Sequence, residues 1–147
     1  MSELKIRAAT GADLEAVQTL LADAALPLEG VADFFPGNYA VVERENEVLG
    51  AIGVERYGDH GLLRSAVVAG SARGTGIGSQ ITEERLDWSK AQGLRDVYLL
   101  TTTAAPFFEK LGFSRIDRNT VPAEVAVAPE FASICPSSAV VMRFDLT

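Results

Sequence analysis

The residues that most clearly suggest chemistry form a glycine-rich segment, Arg73-Gly74-Thr75-Gly76-Ile77-Gly78, between an apolar run and an amphipathic one. Glycines let backbone N–H groups approach an anion closely, and the amino end of a helix adds a favourable dipole. The segment therefore predicts a site for phosphate groups. A tight strand-to-helix turn that binds nothing would use the same glycines and is the alternative on this segment alone.

Two common nucleotide-binding motifs do not fit this segment. A Walker loop continues with Lys and then Ser or Thr, whereas Ser79 and Gln80 follow here. A dinucleotide fingerprint has its third glycine one position later, follows the first strand, and has an acidic residue at the end of the next strand. This segment follows the fourth predicted strand, and Asp96 precedes the next one.

The chain contains one histidine and one cysteine. His60 has a suitable intrinsic pKa for acid–base chemistry, but Gly58 and Gly61 flank it, which favours a surface turn. Cys135 has no basic partner nearby in the sequence, so we interpret it as an inert buried thiol. These counts exclude a disulfide framework, a cysteine zinc site and a histidine-rich metal site, and no metal is expected.

Arg64 interrupts a strand that is otherwise apolar on both sides. A buried guanidinium needs a carboxylate or another oxyanion as its partner. Two hypotheses follow. Arg64 forms an internal ion pair, for which Glu55 is a candidate, or it holds an acidic group of a bound molecule.

The hydrophobic pattern predicts the element order β-α-β-β-β-α-β-α-β-β. The first helix follows Thr10 and Asp13, which resemble a capping box, and presents apolar residues from Leu14 onward. The second begins at Gly76, ends at Gly93, and has Ile77, Ile81, Trp88 and Ala91 on one face; the third spans Ala104–Leu111. Glu45-Asn46-Glu47 predicts a hairpin, and Val121–Ser137 predicts short helical turns in a long insertion. The predicted strands are Leu4–Ala9, Tyr39–Arg44, Val48–Tyr57, Leu62–Ala69, Val97–Thr101, Phe113–Ile116 and Ala139–Leu146.

The fold class expected from this order is α/β, with a mixed sheet. Leu62–Ala69, the second helix and Val97–Thr101 form a predicted βαβ unit with parallel strands and a right-handed crossover. The length of 147 residues predicts a single domain over residues 1–147, and 48% hydrophobic with 22% charged residues is typical of a globular protein.

Charge and terminal sequence exclude further classes of partner. A formal net charge of −7 argues against nucleic acid, whose binding requires basic surfaces. The first fifteen residues contain no apolar run, so neither a signal peptide nor a membrane anchor is expected. We expect a cytoplasmic protein that acts on small molecules.

Two segments resemble the GCN5-related N-acetyltransferase (GNAT) superfamily. Arg73-x-x-Gly76-x-Gly78 is similar to the arginine form of its pyrophosphate-binding signature. The segment from Ala104 to Phe113, AAPFFEKLGF, is similar to its A-x-x-x-Y-x-x-x-G-F helix and strand. The strand order and the position of the loop agree as well. The resemblance implies a mostly antiparallel sheet in which the two central parallel strands splay apart.

The resemblance also implies a co-substrate, acetyl-CoA, and the residues that bind it. Backbone amides from Arg73 to Gly78 would hold its pyrophosphate, and the fourth strand would hold the acetyl oxygen near Val67 and Val68. The helix that contains Phe108 would line the coenzyme arm. The implied coenzyme site consists of Val67, Val68, Arg73, Gly74, Thr75, Gly76, Ile77, Gly78, Ser79, Thr101, Phe107 and Phe108.

Several shorter segments resemble a subgroup of acetyltransferases associated with bacterial arsenic-resistance operons. They include Leu26-Pro27-x-x-Gly30, Glu55-x-Tyr57-Gly58, Leu62-Leu63-Arg64-Ser65 and Cys135-Pro136-x-Ser138-Ala139. The subgroup implies a small amine acceptor, with an amino-acid-like toxicant as the more specific hypothesis.

The sequence departs from the superfamily pattern at two positions. Phe108 stands where a tyrosine usually protonates the departing thiolate, and Thr101 stands where an asparagine is common. A thiol leaves as thiolate with little help, so catalysis remains compatible with Phe108. Tyr98, Thr103 or water are the candidate replacements for the acid.

Acetyl transfer to an amine needs a proton acceptor, because the amine arrives protonated. Glu55, near the end of its strand, is the first candidate for this base, and Glu29 is the second. The predicted function is direct acetyl transfer to a small amine. The alternatives are a catalytically silent acyl-CoA-binding regulator and an acetyltransferase of protein amines. The insertion Val121–Ser137 suggests a homodimer contact.

Overall fold

This computed structural model describes residues 3–26, 28–129, 131 and 139–147. The described part contains seven β-strands, five α-helices and three short 3₁₀ turns. The strands are β1 (Lys5–Ala8), β2 (Tyr39–Arg44), β3 (Glu47–Tyr57), β4 (His60–Val68), β5 (Asp96–Thr101), β6 (Ser114–Ile116) and β7 (Val140–Asp145). The helices are α1 (Leu14–Asp23), α2 (Val31–Phe34), α3 (Ile77–Ala91), α4 (Ala105–Lys110) and α5 (Ala123–Ala126). Cys135 lies outside the described residues, as do residues 130 and 132–137 of the predicted insertion.

The strand order in the sheet is β1-β2-β3-β4-β5-β7-β6. Antiparallel pairing joins β1 to β2, β2 to β3, β5 to β7 and β7 to β6. The parallel pair is β4 with β5, where His60, Gly61 and Leu62 lie opposite Asp96, Val97 and Tyr98. The mixed, mostly antiparallel sheet with a central βαβ unit is therefore confirmed, and the splay of its parallel strands stays a prediction.

The chain divides into two compact units, each assembled from separate stretches of sequence. The first unit comprises Met1–Gly53 and Ser65–Arg85. Its core contains Val17 and Leu21 of α1 together with strand residues such as Val41, all fully buried. The second unit comprises Val54–Arg64 and Leu86–Thr147. Its core is built around Leu62 and Val125, so the predicted insertion contributes to it through α5.

The start of α1 in the first unit is held by a polar cluster. The backbone N–H of Thr10 donates to Asp13 Oδ2 over 2.8 Å, as the predicted capping box requires. Arg7 Nη1 donates to the same oxygen over 2.8 Å and Nη2 donates to Asp13 Oδ1 over 2.9 Å. These bonds to Arg7 lower the pKa of Asp13 to about 2. A short 3₁₀ turn, Gly11–Asp13, thus precedes the regular helix.

Two local predictions are wrong. Ala91 is exposed, and the buried side of α3 includes Arg85, whose side chain is only 2% exposed. Arg85 is accommodated because Nη1 donates to the carbonyl oxygen of Asn38 over 3.0 Å and Nη2 donates to Glu84 over 2.8 Å. His60 is the first residue of β4 rather than a turn residue.

The described residues contain neither a membrane-spanning helix nor a cluster of metal-binding side chains. None of their helices combines the length and apolar character that a membrane crossing requires. Among the described residues, no group of three or more His, Cys, Asp or Glu side chains is arranged to hold a metal ion.

Candidate active site

The glycine-rich loop leads directly into α3 and has the backbone form of an anion site. Gly74 and Gly76 have φ angles of 80° and 81°, a left-handed conformation that glycine adopts at little cost. A Cβ atom at either position would meet no other atom within 4 Å, so the space over the loop is open. No acidic side chain lies in the first turn of α3. The loop therefore fits a phosphate group held by backbone N–H groups and the helix dipole.

Side-chain hydrogen bonds hold this loop in shape. Thr75 Oγ1 donates to the carbonyl oxygen of Ala72 over 2.6 Å and accepts from the N–H of Ile77 over 3.4 Å. Arg73 Nε donates to the carbonyl oxygen of Val68 over 3.0 Å. The loop thus begins beside the end of β4, and the Arg73 side chain lies at the surface.

The end of β4 carries the residues predicted to hold the acetyl group. Val67 is buried, and Val68 is half-buried. Ser65, two positions earlier, has a φ angle of 59° in the middle of the strand. Its Oγ lies 3.1 Å from the hydroxyl of Tyr39 on β2. This hydroxyl pair is not predicted from the sequence, in which the serine beside Arg64 is the one local signal.

Glu55 and Arg64, both predicted site residues, form a buried ion pair between β3 and β4 in the second unit. Arg64 Nη1 donates to Glu55 Oε2 over 3.1 Å, and each side chain is 2% exposed. The hydroxyl of Tyr57 donates to the other carboxylate oxygen over 2.7 Å. Of the two hypotheses for Arg64, the structure contains the internal pair. Glu29, the second candidate base, is an exposed residue of the first unit, in the turn before α2.

The residues predicted to line the coenzyme arm lie at the end of β5 and in α4. Thr101 Oγ1 accepts a hydrogen bond from the N–H of Ala104 over 2.9 Å, so this side chain caps the turn into α4. The buried Phe108 ring packs edge-on against Phe107 and Phe113, with centroid distances of 5.1 and 5.5 Å. Phe108 is thus a core residue, whereas Phe107 is exposed.

His60 belongs to a buried polar cluster at the start of the parallel strands. His60 Nδ1 lies 2.6 Å from Asp96 Oδ1. The hydroxyl of Tyr98 and Nε of Arg143 both donate to Asp96 Oδ2, over 3.1 and 2.9 Å. Burial, and then the charge of Asp96, raises the pKa of Tyr98. The parallel register that places His60 opposite Asp96 explains why His60 is part of the strand. Tyr98, a candidate replacement acid, is committed to this cluster.

A protein-family model, described as an acetyltransferase (GNAT) domain, matches residues 36–115. A search of curated proteins gives no match.

Solved structures share the fold at low sequence identity. N-acetylglutamate synthase from Neisseria gonorrhoeae, complexed with coenzyme A and N-acetyl-glutamate, has a TM-score of 0.83 at 15% identity, covering 100% of this chain but 36% of its own. Rv2747 from Mycobacterium tuberculosis, in complex with CoA and NLQ, has a TM-score of 0.80 at 22% identity over 97% of this chain and 99% of its own. A GNAT-family acetyltransferase from Staphylococcus aureus has a TM-score of 0.81 at 14% identity over 99% of this chain and 100% of its own.

Proposed function

Because the chain belongs to the GNAT acetyltransferase domain family, we propose that it transfers an acetyl group from acetyl-CoA directly to the amine of a small molecule. The observation that carries this proposal is the loop before α3, where two left-handed glycines leave open space at a helix amino end. Coenzyme A in the two similar structures named above supports the same donor.

The proposed reaction needs two functions from the protein, stabilisation of the carbonyl oxygen and acceptance of the amine proton. The neutral amine nitrogen attacks the thioester carbon, the C–S bond breaks, and the sulfur leaves with its electron pair. Backbone N–H groups near Val67 and Val68 would stabilise the negative charge that develops on the carbonyl oxygen. Glu55 would accept the amine proton, directly or through water. Its two oxygens are already bonded to Arg64 and Tyr57, so Glu29 is kept as the second candidate.

For the acceptor we propose an amino-acid-like compound that carries an acidic group. The resemblance to the arsenic-resistance subgroup supports this class, and one similar structure contains N-acetyl-glutamate. Arg64 would hold the acidic group only by sharing or exchanging its bond to Glu55. A homodimer contact through Val121–Ser137 is a separate proposal about assembly.

The donor site is tested by Gly76→Asp, whose carboxylate would occupy the phosphate position and repel the pyrophosphate. Gly93→Asp is the matched control, since Gly93 also has a left-handed φ angle, 85°, with no atom within 4 Å of a built Cβ. Calorimetry should show that coenzyme A binding is abolished in Gly76→Asp and retained in Gly93→Asp. Equal affinities in the two folded variants would remove the phosphate-loop assignment.

Phe108 favours one second candidate, an acyl-CoA-binding regulator without catalytic activity, because it lacks the hydroxyl of the usual acid. Thiol release from acetyl-CoA in the presence of a panel of amines separates the two. We expect release with at least one amino-acid-like amine. Coenzyme binding without thiol release for any member of the panel, amino acids and peptide amines included, would support the regulator.

A further inference from the structure

Ser65 has an unusual conformation for a residue in the middle of a strand. Its φ angle is 59°, whereas β4 extends from His60 to Val68 around it. A non-glycine residue in the left-handed region costs on the order of 1 kcal/mol or more, and such strain concentrates at functional sites. The strain in Ser65 therefore calls for a compensating role of its side chain.

Tyr39 supplies the partner that holds Ser65. The whole residue is buried, with 0% exposure, and its hydroxyl lies 3.1 Å from Ser65 Oγ, where either oxygen can donate. Gly53 makes room for the Tyr39 ring, because a Cβ at this position would lie 2.6 Å from Tyr39 Cε1. The phenol is thus directed at Ser65 by the packing of the first unit. Ser65 itself is half-buried, and the next residue, Ala66, is exposed.

The pantetheine arm of coenzyme A is long enough to bring the reacting sulfur to the Ser65–Tyr39 pair. Its pantetheine arm has roughly twelve bonds between the phosphate oxygen and the sulfur, the length of about four extended residues. Arg73 Nε bonds to the carbonyl oxygen of Val68, so the phosphate loop begins beside that residue. An arm laid back along β4 from this point reaches the level of Ser65, three residues before Val68.

At two positions considered for the missing acid, the hydroxyl group is absent or already donates elsewhere. Phe108 has none, and the Tyr98 hydroxyl already donates to Asp96. Thr101 Oγ1 accepts from Ala104 at the turn into α4.

We propose, on the basis of the acetyltransferase function above, that the Ser65 hydroxyl donates a proton to the departing sulfur of coenzyme A. As the C–N bond forms and the C–S bond breaks, the electron pair of the C–S bond takes the Ser65 proton and gives the thiol. The Ser65 oxygen takes the Tyr39 proton in the same step. The buried phenolate then recovers a proton from solvent through the half-buried Ser65 hydroxyl. The proton of the attacking amine passes to the base proposed above and from that base to solvent. Ser65 is the catalytic residue, and Tyr39 is the positioning residue that supplies its proton.

Ser65→Gly and Tyr39→Phe test this assignment. Glycine keeps the left-handed backbone without strain and removes only the hydroxyl, and phenylalanine keeps the ring over Gly53. Steady-state thiol release should show kcat lowered by about 10²-fold or more in Ser65→Gly. It should be lowered less in Tyr39→Phe, with KM for acetyl-CoA unchanged in both. Glu45→Gly is the control, since Glu45 has a similar φ angle of 51° in the β2–β3 turn.

A donor with a better leaving group separates proton donation from a structural effect. Acetyl-seleno-CoA differs from acetyl-CoA by one atom, and its selenol, a much stronger acid than the thiol, leaves without a proton. With this donor the deficit of Ser65→Gly and Tyr39→Phe should largely disappear.

Three results decide the question. A Ser65→Gly enzyme as fast as wild type, or a deficit equally large with both donors, would overturn the role of Ser65 and leave the proposed function intact. A deficit confined to acetyl-CoA supports it. A wild-type protein that releases thiol with none of the amines overturns the proposed function and this inference together.

Discussion

Replacement of Arg64 by methionine tests the buried ion pair of the second unit. Arg64 Nη1 lies 3.1 Å from Glu55 Oε2, and both side chains are 2% exposed. Methionine keeps an unbranched apolar side chain in place of the arginine stem and removes the charge. The Tyr57 hydroxyl still donates to Glu55, but the carboxylate loses the guanidinium that compensates its burial.

The expected cost comes from desolvation. At the observed 3.1 Å and an effective dielectric constant of about 20, the attraction is ~5 kcal/mol. Most of it offsets the cost of removing both charges from water, so the intact pair adds little net stability. Without Arg64 the burial of Glu55 is uncompensated, which costs about 3–5 kcal/mol. For a chain of this length the melting temperature should fall by roughly 10–20 °C.

Urea and thermal unfolding of wild type, Arg64→Met, Glu55→Gln and the double variant measure this cost. Each single variant removes one charge of the pair and leaves the other buried, whereas the double variant removes both and should recover most of the lost stability. Arg115→Met is the control, because Arg115 and Glu109 lie 3.3 Å apart and are 53% and 44% exposed. It should change stability by less than about 1 kcal/mol. A loss in Arg64→Met no larger than this control would refute the reasoning.

The same variants separate the functional hypotheses for the pair. If Arg64 holds an acidic acceptor, its replacement should raise KM for that acceptor far more than KM for acetyl-CoA. A purely structural pair would leave acceptor preference unchanged. If Glu55 is the base, Glu55→Gln should lower kcat/KM most near neutral pH, and less as pH rises and more of the amine is neutral. An unchanged pH profile would transfer the role to Glu29.

Two further predictions concern the first unit. The pKa of Asp13 is lowered from 3.8 to about 2 in the folded protein. Its ionised carboxylate therefore adds about 1–2 kcal/mol to the free energy of unfolding, given that its partner Arg7 is partly exposed. This stabilisation is present above pH 4 and is lost as the pH falls towards 2. Urea unfolding should show Asp13→Asn less stable than wild type at pH 7 and equal to it near pH 2; a pH-independent difference would contradict this. Gly53→Ala should lose about 1–3 kcal/mol, because the new Cβ overlaps the Tyr39 ring. Gly11→Ala is the control in the same unfolding assay, because a Cβ at Gly11 would have no atom within 4 Å. An equal loss of stability in Gly11→Ala and Gly53→Ala would contradict the overlap with the Tyr39 ring.

The elements that the sequence predicts correctly are those set by local rules. The β2–β3 hairpin is an example: Glu45 and Asn46 have φ angles of 51° and 68°, the conformation of a two-residue turn that matches the twist of paired strands. The βαβ unit follows from the alternation of apolar runs with a helical pattern, and the parallel register of β4 and β5 confirms it. Each of these signals is carried by a contiguous stretch of sequence.

The buried polar groups were harder to predict because their partners are distant in sequence. His60 is flanked by turn-forming glycines, and only its partner Asp96, 36 residues later, shows that it belongs to a strand. Arg85 of α3 also has a partner that is distant in sequence. Its buried guanidinium donates a hydrogen bond to the carbonyl oxygen of Asn38, 47 residues earlier. Helical periodicity predicts that charged residues lie at the surface. Tertiary hydrogen bonds make burial of Arg85 possible in spite of that pattern.

The burial of β4 does not follow simple alternation. In a regular strand successive side chains point to opposite faces. In β4, Leu63 and Arg64 are both buried, Ala66 is exposed, and Val67 is buried again. The left-handed Ser65 lies between these two stretches, so β4 buries the guanidinium of Arg64 and presents a half-buried hydroxyl one position later. A φ angle of 59° costs more in serine than in glycine, and the hydrogen bond between the Ser65 and Tyr39 hydroxyls offsets part of that cost. Glycine would provide the same left-handed backbone with less strain. The presence of serine at this position is therefore better explained by its hydroxyl group than by its backbone conformation.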